Sequence, residues 1–173
     1  MDVFEAIKNR RSVRAYSSKE VSREEVEKLI DAARWAPSAG NIQPWEFVVV
    51  RDAEIRRRLS MAALNQRFIE EAPIAVVVCA NESHSEGGYG VRGKTLYCLQ
   101  DTAAAIQNLL LAAYALGFGT CWIGAFREEE ARRILDVPIG VRPVAIVSVG
   151  YPIEKPKNPP RRSIREIIHY EMY

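Results

Sequence analysis

Three arginines and a serine fall within five positions at the start of RRSVRAY, Arg10–Tyr16. Guanidinium forks and a hydroxyl at that density are donors suited to a phosphate-type anion. A second basic segment, KPKNPPRRSIR from Lys155 to Arg165, has five cations, no acid and three prolines. It reads as an extended arm that settles on something anionic, or as a solvated face. A third polar segment, APSAGNIQPWEF from Ala36 to Phe47, places Ser38, Asn41 and Gln43 between Pro37 and Pro44. These side chains can hold a ligand, and turn chemistry by itself also accounts for Pro, Ser, Gly and Asn together.

Other chemistries lack their apparatus. GYGVRG, from Gly88 to Gly93, matches the dinucleotide pattern of glycines, but NESHSEG separates it from the end of the preceding strand. In that fingerprint the glycines must lie at the turn leaving the strand, so that the next helix N-terminus meets the pyrophosphate. The stretch reads instead as a loop beside an active site or on the surface. His84 and His169 have no partners at ligand spacing, so no metal site is expected. No nucleophile elbow or P-loop is present.

Composition bounds the remaining classes. Lys+Arg (24) and Asp+Glu (22) leave a formal net charge of only +2, so any anion site is local and no general affinity for nucleic acid or an anionic membrane follows. With 173 residues and 48% hydrophobic content, one domain spanning 1–173 can bury a real core. Cys79, Cys98 and Cys121 are odd in number and lie in apolar runs, which suits reduced, buried thiols in a cytoplasmic protein. Asp2 and Glu5 stand where a secretory leader would be basic.

The elements that must position these residues alternate along the chain. Asp2 with Glu5 has the form of a capping box, opening a first helix whose narrow apolar face is Val3, Phe4 and Ile7 and which RRSVRAY ends. Ser22 with Glu25 opens a second, carrying Val26, Leu29, Ile30 and Ala33 at helical spacing as far as Pro37. WEFVVV (45–50), IAVVVCA (74–80), TCWIGA (120–125) and VAIVSVG (144–150) read as strands, with helices near 55–64 and 128–135. The fold class is α/β (α+β), a central mixed β-sheet flanked by helices. The segment from Cys98 to Leu116 is helical and apolar almost all round, so it is buried on every side, either within one subunit or in a homodimer interface. Gln100, Asp101, Gln107 and Asn108 argue against a membrane span.

RRSVRAY followed by PSAGNIQPWEF resembles the paired motifs of the nitroreductase family of FMN-dependent oxidoreductases. The likeness continues through LNQRFIEEAP (64–73), QDTAAAIQNLLLAA and GFGTCWIGAF (117–126) to a basic stretch before a short terminal helix, IREIIHYE. It implies a nitroreductase-like fold, an intertwined homodimer, FMN at the subunit interface and NAD(P)H as electron donor. It further implies that Arg10, Ser12 and Arg14, with Arg11 nearby, meet the FMN phosphate or ribityl chain, and that Arg161 or Arg162 closes the site from the tail. Pro37, Ser38, Ala39 and Asn41 correspond to a segment reaching the flavin from the other subunit. Asn65 corresponds to a hydrogen-bond partner of the pyrimidine edge, and Gly124 and Ala125 to backbone donors near N5 and O4. Two positions depart from the family pattern: Phe68 stands where some relatives have lysine, and Gly124 where others have an acid.

By this resemblance the protein passes hydride from NAD(P)H through flavin N5 to a small acceptor such as a nitroaromatic or quinone, in alternating ping-pong half-reactions. The flavin carries the chemistry and no protein group is assigned as catalytic acid or base. Trp122, Phe126, Tyr89 and Tyr97 are candidates to shape the acceptor pocket, or else core and loop aromatics. The alternatives are a related enzyme with other flavin chemistry, such as dehalogenation or flavin fragmentation, and a non-catalytic FMN-binding protein. A nucleic-acid module, motivated only by the arginines, is opposed by the near-neutral charge.

Overall fold

The computed structural model describes residues 1–173. Four strands form one sheet in the order β1-β2-β4-β3: β1 Trp45–Val50, β2 Ile74–Asn81, β3 Gly119–Ile123 and β4 Val141–Gly150. All three pairings are antiparallel, and a bulge at Val78/Cys79 shifts the β2–β4 register. The mixed character expected of the sheet is confined to one parallel bridge, from Ser12 to Thr120.

The sheet is covered on both faces because side chains alternate along its inner strands. Val76, Val78, Val147 and Val149 point to one face and meet α2 (Arg23–Arg34) and α6 (Cys98–Ala115) through Leu29, Ile106 and Leu109. Ala75, Val77 and Ile146 point to the other and meet Leu59 of α3 (Ala53–Ala62), Ile69 of α4 (Phe68–Glu71) and Ala131 of α7 (Glu128–Ile134). A strand apolar on both faces, such as IAVVVCA, is the natural centre of this three-layer arrangement. The three cysteines are free and buried, and burial pushes the Cys79 thiol up to about 12.

Helix starts follow local chemistry. Ser22 and Glu25 form the reciprocal capping box expected of them. Asp2 caps α1 (Val3–Asn9) through the Phe4 N–H, without reciprocal help from Glu5. The apolar face of α1 is not buried by its own chain: Val3, Phe4 and Ile7 are 56%, 66% and 51% exposed. One side of α6 is buried within the chain; Ala103, Ala104, Leu111 and Ala112 are only half-buried, and Gln100, Gln107 and Ala115 lie exposed on the other side. No helix is long and apolar enough to cross a membrane.

Two expectations about local structure are corrected. Residues 82–92, read from their glycines as a loop, form helix α5 (Glu82–Arg92), opened by the Asn81 side chain accepting the His84 N–H and broken only at Tyr89–Gly90. The stretch contributes no apolar period, so its capping residue was the sole helical signal. The terminal IREIIHYE is a single turn, Ile164–Glu166, because its isoleucines find no surface to bury against.

After α1 the chain runs extended along the outer side of β3. Val13 N–H donates to Thr120 O at 2.9 Å, and further on Ser17 N–H donates to Tyr151 O at 2.9 Å. Gly119 permits this approach, since a Cβ there would stand 2.8 Å from Val13 Cβ. The Tyr16 hydroxyl fastens the segment, donating to the Val13 carbonyl at 2.5 Å and lying 2.7 Å from Ser148 Oγ. Replacing Gly119 by Ala is expected to cost about 1–3 kcal/mol through overpacking, read as a fall in the urea midpoint. Adding Val13→Gly, which removes the Cβ and both methyl groups that the new side chain would meet, should recover part of that loss, and strict additivity of the two substitutions would contradict the clash.

Candidate functional site

Where the N-terminal segment passes β3, the C-terminal arm crosses over it. Arg11 Nε donates to Asn158 Oδ1 at 2.6 Å, and the Arg14 backbone N–H donates to Glu154 Oε1 at 2.6 Å. These two bonds close residues 147 and 140 positions apart into one wall. Between them lies a cavity of about 390 Å³ lined by Arg10, Arg11, Ser12, Arg14, Lys157 and Arg161, with no carboxylate in its lining.

The roles of its arginines differ. Arg11 is engaged structurally, because its Nη1 donates to the carbonyls of Lys8 and Arg10 at 2.7 and 2.6 Å, closing the end of α1. Arg10 is held below its ordinary pKa by burial first, and then by the charges of Arg11 and Arg161. No ion pair in the structure includes Arg10, Arg11, Arg14, Lys157 or Arg161. A set of like charges without a carboxylate among them, Arg10 and Arg11 half-buried and Arg14, Lys157 and Arg161 exposed, is complementary to a dianionic phosphate monoester, and a hydroxyl at Ser12 adds a further donor. Arg162 is not part of it: its Nη2 donates to the Glu166 carbonyl at 2.9 Å instead.

A second group of segments converges next to this cradle. Leu64 and Asn65 have φ of 59° and 62°, a left-handed turn that asparagine tolerates better than most residues. Gln66 Nε2 donates to Ala63 O at 2.9 Å and to Ala125 O at 3.1 Å, tying the Asn65 turn to Gly124–Ala125 beyond β3. Arg127 reinforces this clamp, its backbone N–H and its Nη2 both donating at 2.9 Å, to Ala62 O and Met61 O. Around Gly124 the space where a Cβ would be is open. Phe68 packs against Val13 and Tyr16, and the Arg14 guanidinium stands 5.7 Å from its ring centroid. The Asn65 turn is thus tied to the Gly124–Ala125 corner by Gln66, and to the segment that carries the cradle by the packing of Phe68.

The segment carrying Pro37, Ser38, Ala39 and Asn41 is elsewhere. It leads into β1, the opposite edge of the sheet from β3, three strand spacings or roughly 14 Å away. Its turn is built by Gly40, Asn41 and Gln43 at φ of 55°, 57° and 54°, by Ser38 Oγ accepting the Gln43 N–H at 3.0 Å, and by Asp101 Oδ1 accepting the Ala39 N–H at 3.2 Å. Asp101 is only 8% exposed and its Oδ2 has no partner, so burial raises its pKa above the ordinary 3.8. Sequence reasoning missed Gln66, Glu154, Asn158 and Asp101. Each acts on a residue more than 50 positions away, and nothing in its immediate neighbourhood marks it.

Comparison with known proteins agrees with this architecture. The model of the nitroreductase family matches residues 7–66 and 59–151, so the chain belongs to the nitroreductase family and is an oxidoreductase. A homologue from Methanothermobacter thermautotrophicus is 39% identical over 160 residues, covering 90% of this chain and 80% of its own. FMN reductase (NADPH) of Bacillus subtilis is 28% identical over 185 residues, covering 99% of this chain and 74% of its own. The solved structure of NfrA2 from B. megaterium superposes with a TM-score of 0.93 at 30% identity, covering all of this chain and 76% of that one.

Two measurements probe the site directly. Inorganic phosphate at about a hundred times its Kd should stabilise flavin-free protein by about 2.7 kcal/mol, and Arg10→Ala should abolish the accompanying rise in Tm; equal shifts in both proteins would rule out the cradle as the anion site. For Asp101 the raised pKa means that the native state holds a proton the unfolded chain has already released. Stability therefore falls as pH rises from about 4 towards the raised value. Asp101→Asn should flatten that part of the urea-midpoint profile, and an unchanged slope would count against the assignment.

Proposed function

We propose that residues 1–173 form a single FMN-binding domain working in the cytoplasm as an NAD(P)H-dependent flavin oxidoreductase. The carrying observation is the arginine cradle, with no carboxylate among its lining residues, linked through Phe68 and Gln66 to the Asn65 and Gly124–Ala125 turns. Buried, unpaired thiols suit a reducing compartment. The family includes proteins named FMN reductase and Cr(VI) reductase, which is consistent with a flavin and a nicotinamide donor here.

In this reading Arg10, Ser12, Arg14 and Arg161 hold the FMN phosphate, and Arg11 keeps the arm closed over it through Asn158. Asn65 offers its amide to the pyrimidine edge, and its left-handed turn is held in place by Gln66. Gly124 and Ala125 offer backbone N–H groups, and the open space where a Cβ of Gly124 would stand leaves room for a second planar molecule. FMN bound there would supply the redox chemistry, carrying reducing equivalents from NAD(P)H to a small acceptor such as a nitroaromatic or quinone in a ping-pong scheme. The protein contributes binding, orientation and fixed donors rather than a proton-transferring side chain.

Pro37, Ser38, Ala39 and Asn41 join the site from a second subunit, since in their own chain they lie across the sheet from it. The exposed apolar face of α1, Val3, Phe4 and Ile7, supports such a homodimer, because a helix face of that kind calls for a partner.

The test is a visible spectrum of the purified protein, repeated anaerobically with NADH and with NADPH, and the released cofactor identified by mass. A yellow protein holding FMN and bleached by a nicotinamide is expected; one that neither retains nor rebinds FMN would sink the reading. Binding separates the two halves of the site. Arg10→Ala should weaken FMN by about 1.5–3 kcal/mol through loss of a charged hydrogen bond while leaving riboflavin, which has no phosphate, unaffected. Asn65→Ala should weaken FMN and riboflavin alike.

A further inference from the structure

The break in α5 gives the unused GYGVRG stretch a purpose. Gly90 has φ 56° and ψ −146°, a conformation restricted in practice to glycine, and Tyr89 before it also departs from helical geometry. The helix is thereby interrupted at Tyr89, whose side chain remains 44% exposed.

That exposure is not looseness. The Tyr89 ring meets Tyr97 edge to face, with centroids 5.3 Å apart and planes at 82°. Tyr97 is fixed in turn by Arg92, whose Nε donates to its hydroxyl at 3.0 Å and whose guanidinium lies 5.4 Å from its ring centroid. On the other side, Tyr89 Oη closes over Gly40, where a Cβ would stand 2.5 Å away. Around Gly87 and Gly90 nothing stands within 4 Å of where a side chain would begin. An aromatic side chain is therefore wedged between Gly40 and Tyr97 and partly open to solvent, with free space beside Gly87 and Gly90, while Gly88 packs against Ile42. Trp122 is also exposed, but no aromatic or hydrogen-bonded neighbour fixes its ring in this way.

Gly40 belongs to the turn that carries Ser38, Ala39 and Asn41. Resting on the reading that this turn reaches the flavin of a second subunit, we propose that Tyr89 is a specificity-determining residue of the shared site. Its ring supplies a stacking surface for planar, electron-poor acceptors of the quinone or nitroarene type. A phenol is comparatively electron-rich, and offset stacking with an electron-poor ring is the favoured geometry. Immobilising the ring beforehand, through Tyr97 and Gly40, reduces the ordering cost of binding. A bulky, non-planar electron acceptor gains nothing from such a surface.

The experiment uses flavin-loaded wild type, Tyr89→Phe and Tyr89→Ala, with flavin content measured for each. Two quantities are read: the ratio of kcat/KM for 1,4-naphthoquinone to that for ferricyanide, and the Kd of 4-nitrobenzoate for the oxidised protein from the flavin difference spectrum. Removing the ring is expected to lower the ratio and raise the Kd by about three- to tenfold, while Tyr89→Phe, which keeps the ring, retains wild-type values of both. Flavin-loaded Tyr89→Ala with an unchanged ratio and Kd would overturn the assignment. So would loss of flavin from Tyr89→Ala, which would mark the residue as part of the scaffold. A wild-type protein that holds no flavin would instead overturn the functional reading on which the assignment rests.

Discussion

The approach of residues 12–13 to the edge of β3 is the constraint on which the rest of the site depends. The Val13 N–H pairs with Thr120 O only because residue 119 has no Cβ to meet the valine. Once that edge is taken, Tyr16 reaches Ser148 on β4, and Phe68 packs against Val13 and Tyr16 from the side of the Asn65 turn. The cradle is thus attached to the rigid centre of the sheet, although every residue in it lies outside the four strands. Precision of that kind is what a cofactor site needs from its scaffold.

Electrostatically the site runs against the average of the molecule. A chain with nearly balanced charges gathers at least four cations without an ion-pair partner around one cavity that no carboxylate lines. Part of the desolvation cost falls on Arg10. The nearest acid, Glu154, spends its carboxylate on a backbone N–H and so holds the arm down without forming an ion pair with the guanidinium groups. A structure arranged for stability alone would have neutralised them. Their persistence is what the proposed site for the FMN phosphate calls for.

Phe68 shows how one departure from the family pattern is absorbed. In place of a lysine it brings a ring that packs into the small cluster beneath the N-terminal segment and lies under the Arg14 guanidinium. The aromatic face helps to fix the direction of the Arg14 side chain, while Arg57 and Arg67 supply positive charge beside the Asn65 turn itself. Gly124 is the other departure, and it leaves its corner open where an acidic side chain would have projected.

By itself the sequence determined those parts of the protein whose signals act within a few residues. The Ser22–Glu25 box, the strands WEFVVV and IAVVVCA and the turn residues around Gly40 are of this kind, and so is the crowding of donors in RRSVRAY. Only the tertiary structure decided which arginines face the cavity, that Arg11 and Arg162 are spent on other bonds, that Gln66 joins Asn65 to Ala125, and that the Pro37–Asn41 turn lies across the sheet from the cradle. The same holds for residues 82–92, which lack an apolar period and became a helix where Asn81 could cap it. The physical reason is range. Caps, turns and periodicity operate between near neighbours along the chain, whereas the value of a charge or an amide depends on partners brought to it by packing from more than 50 residues away.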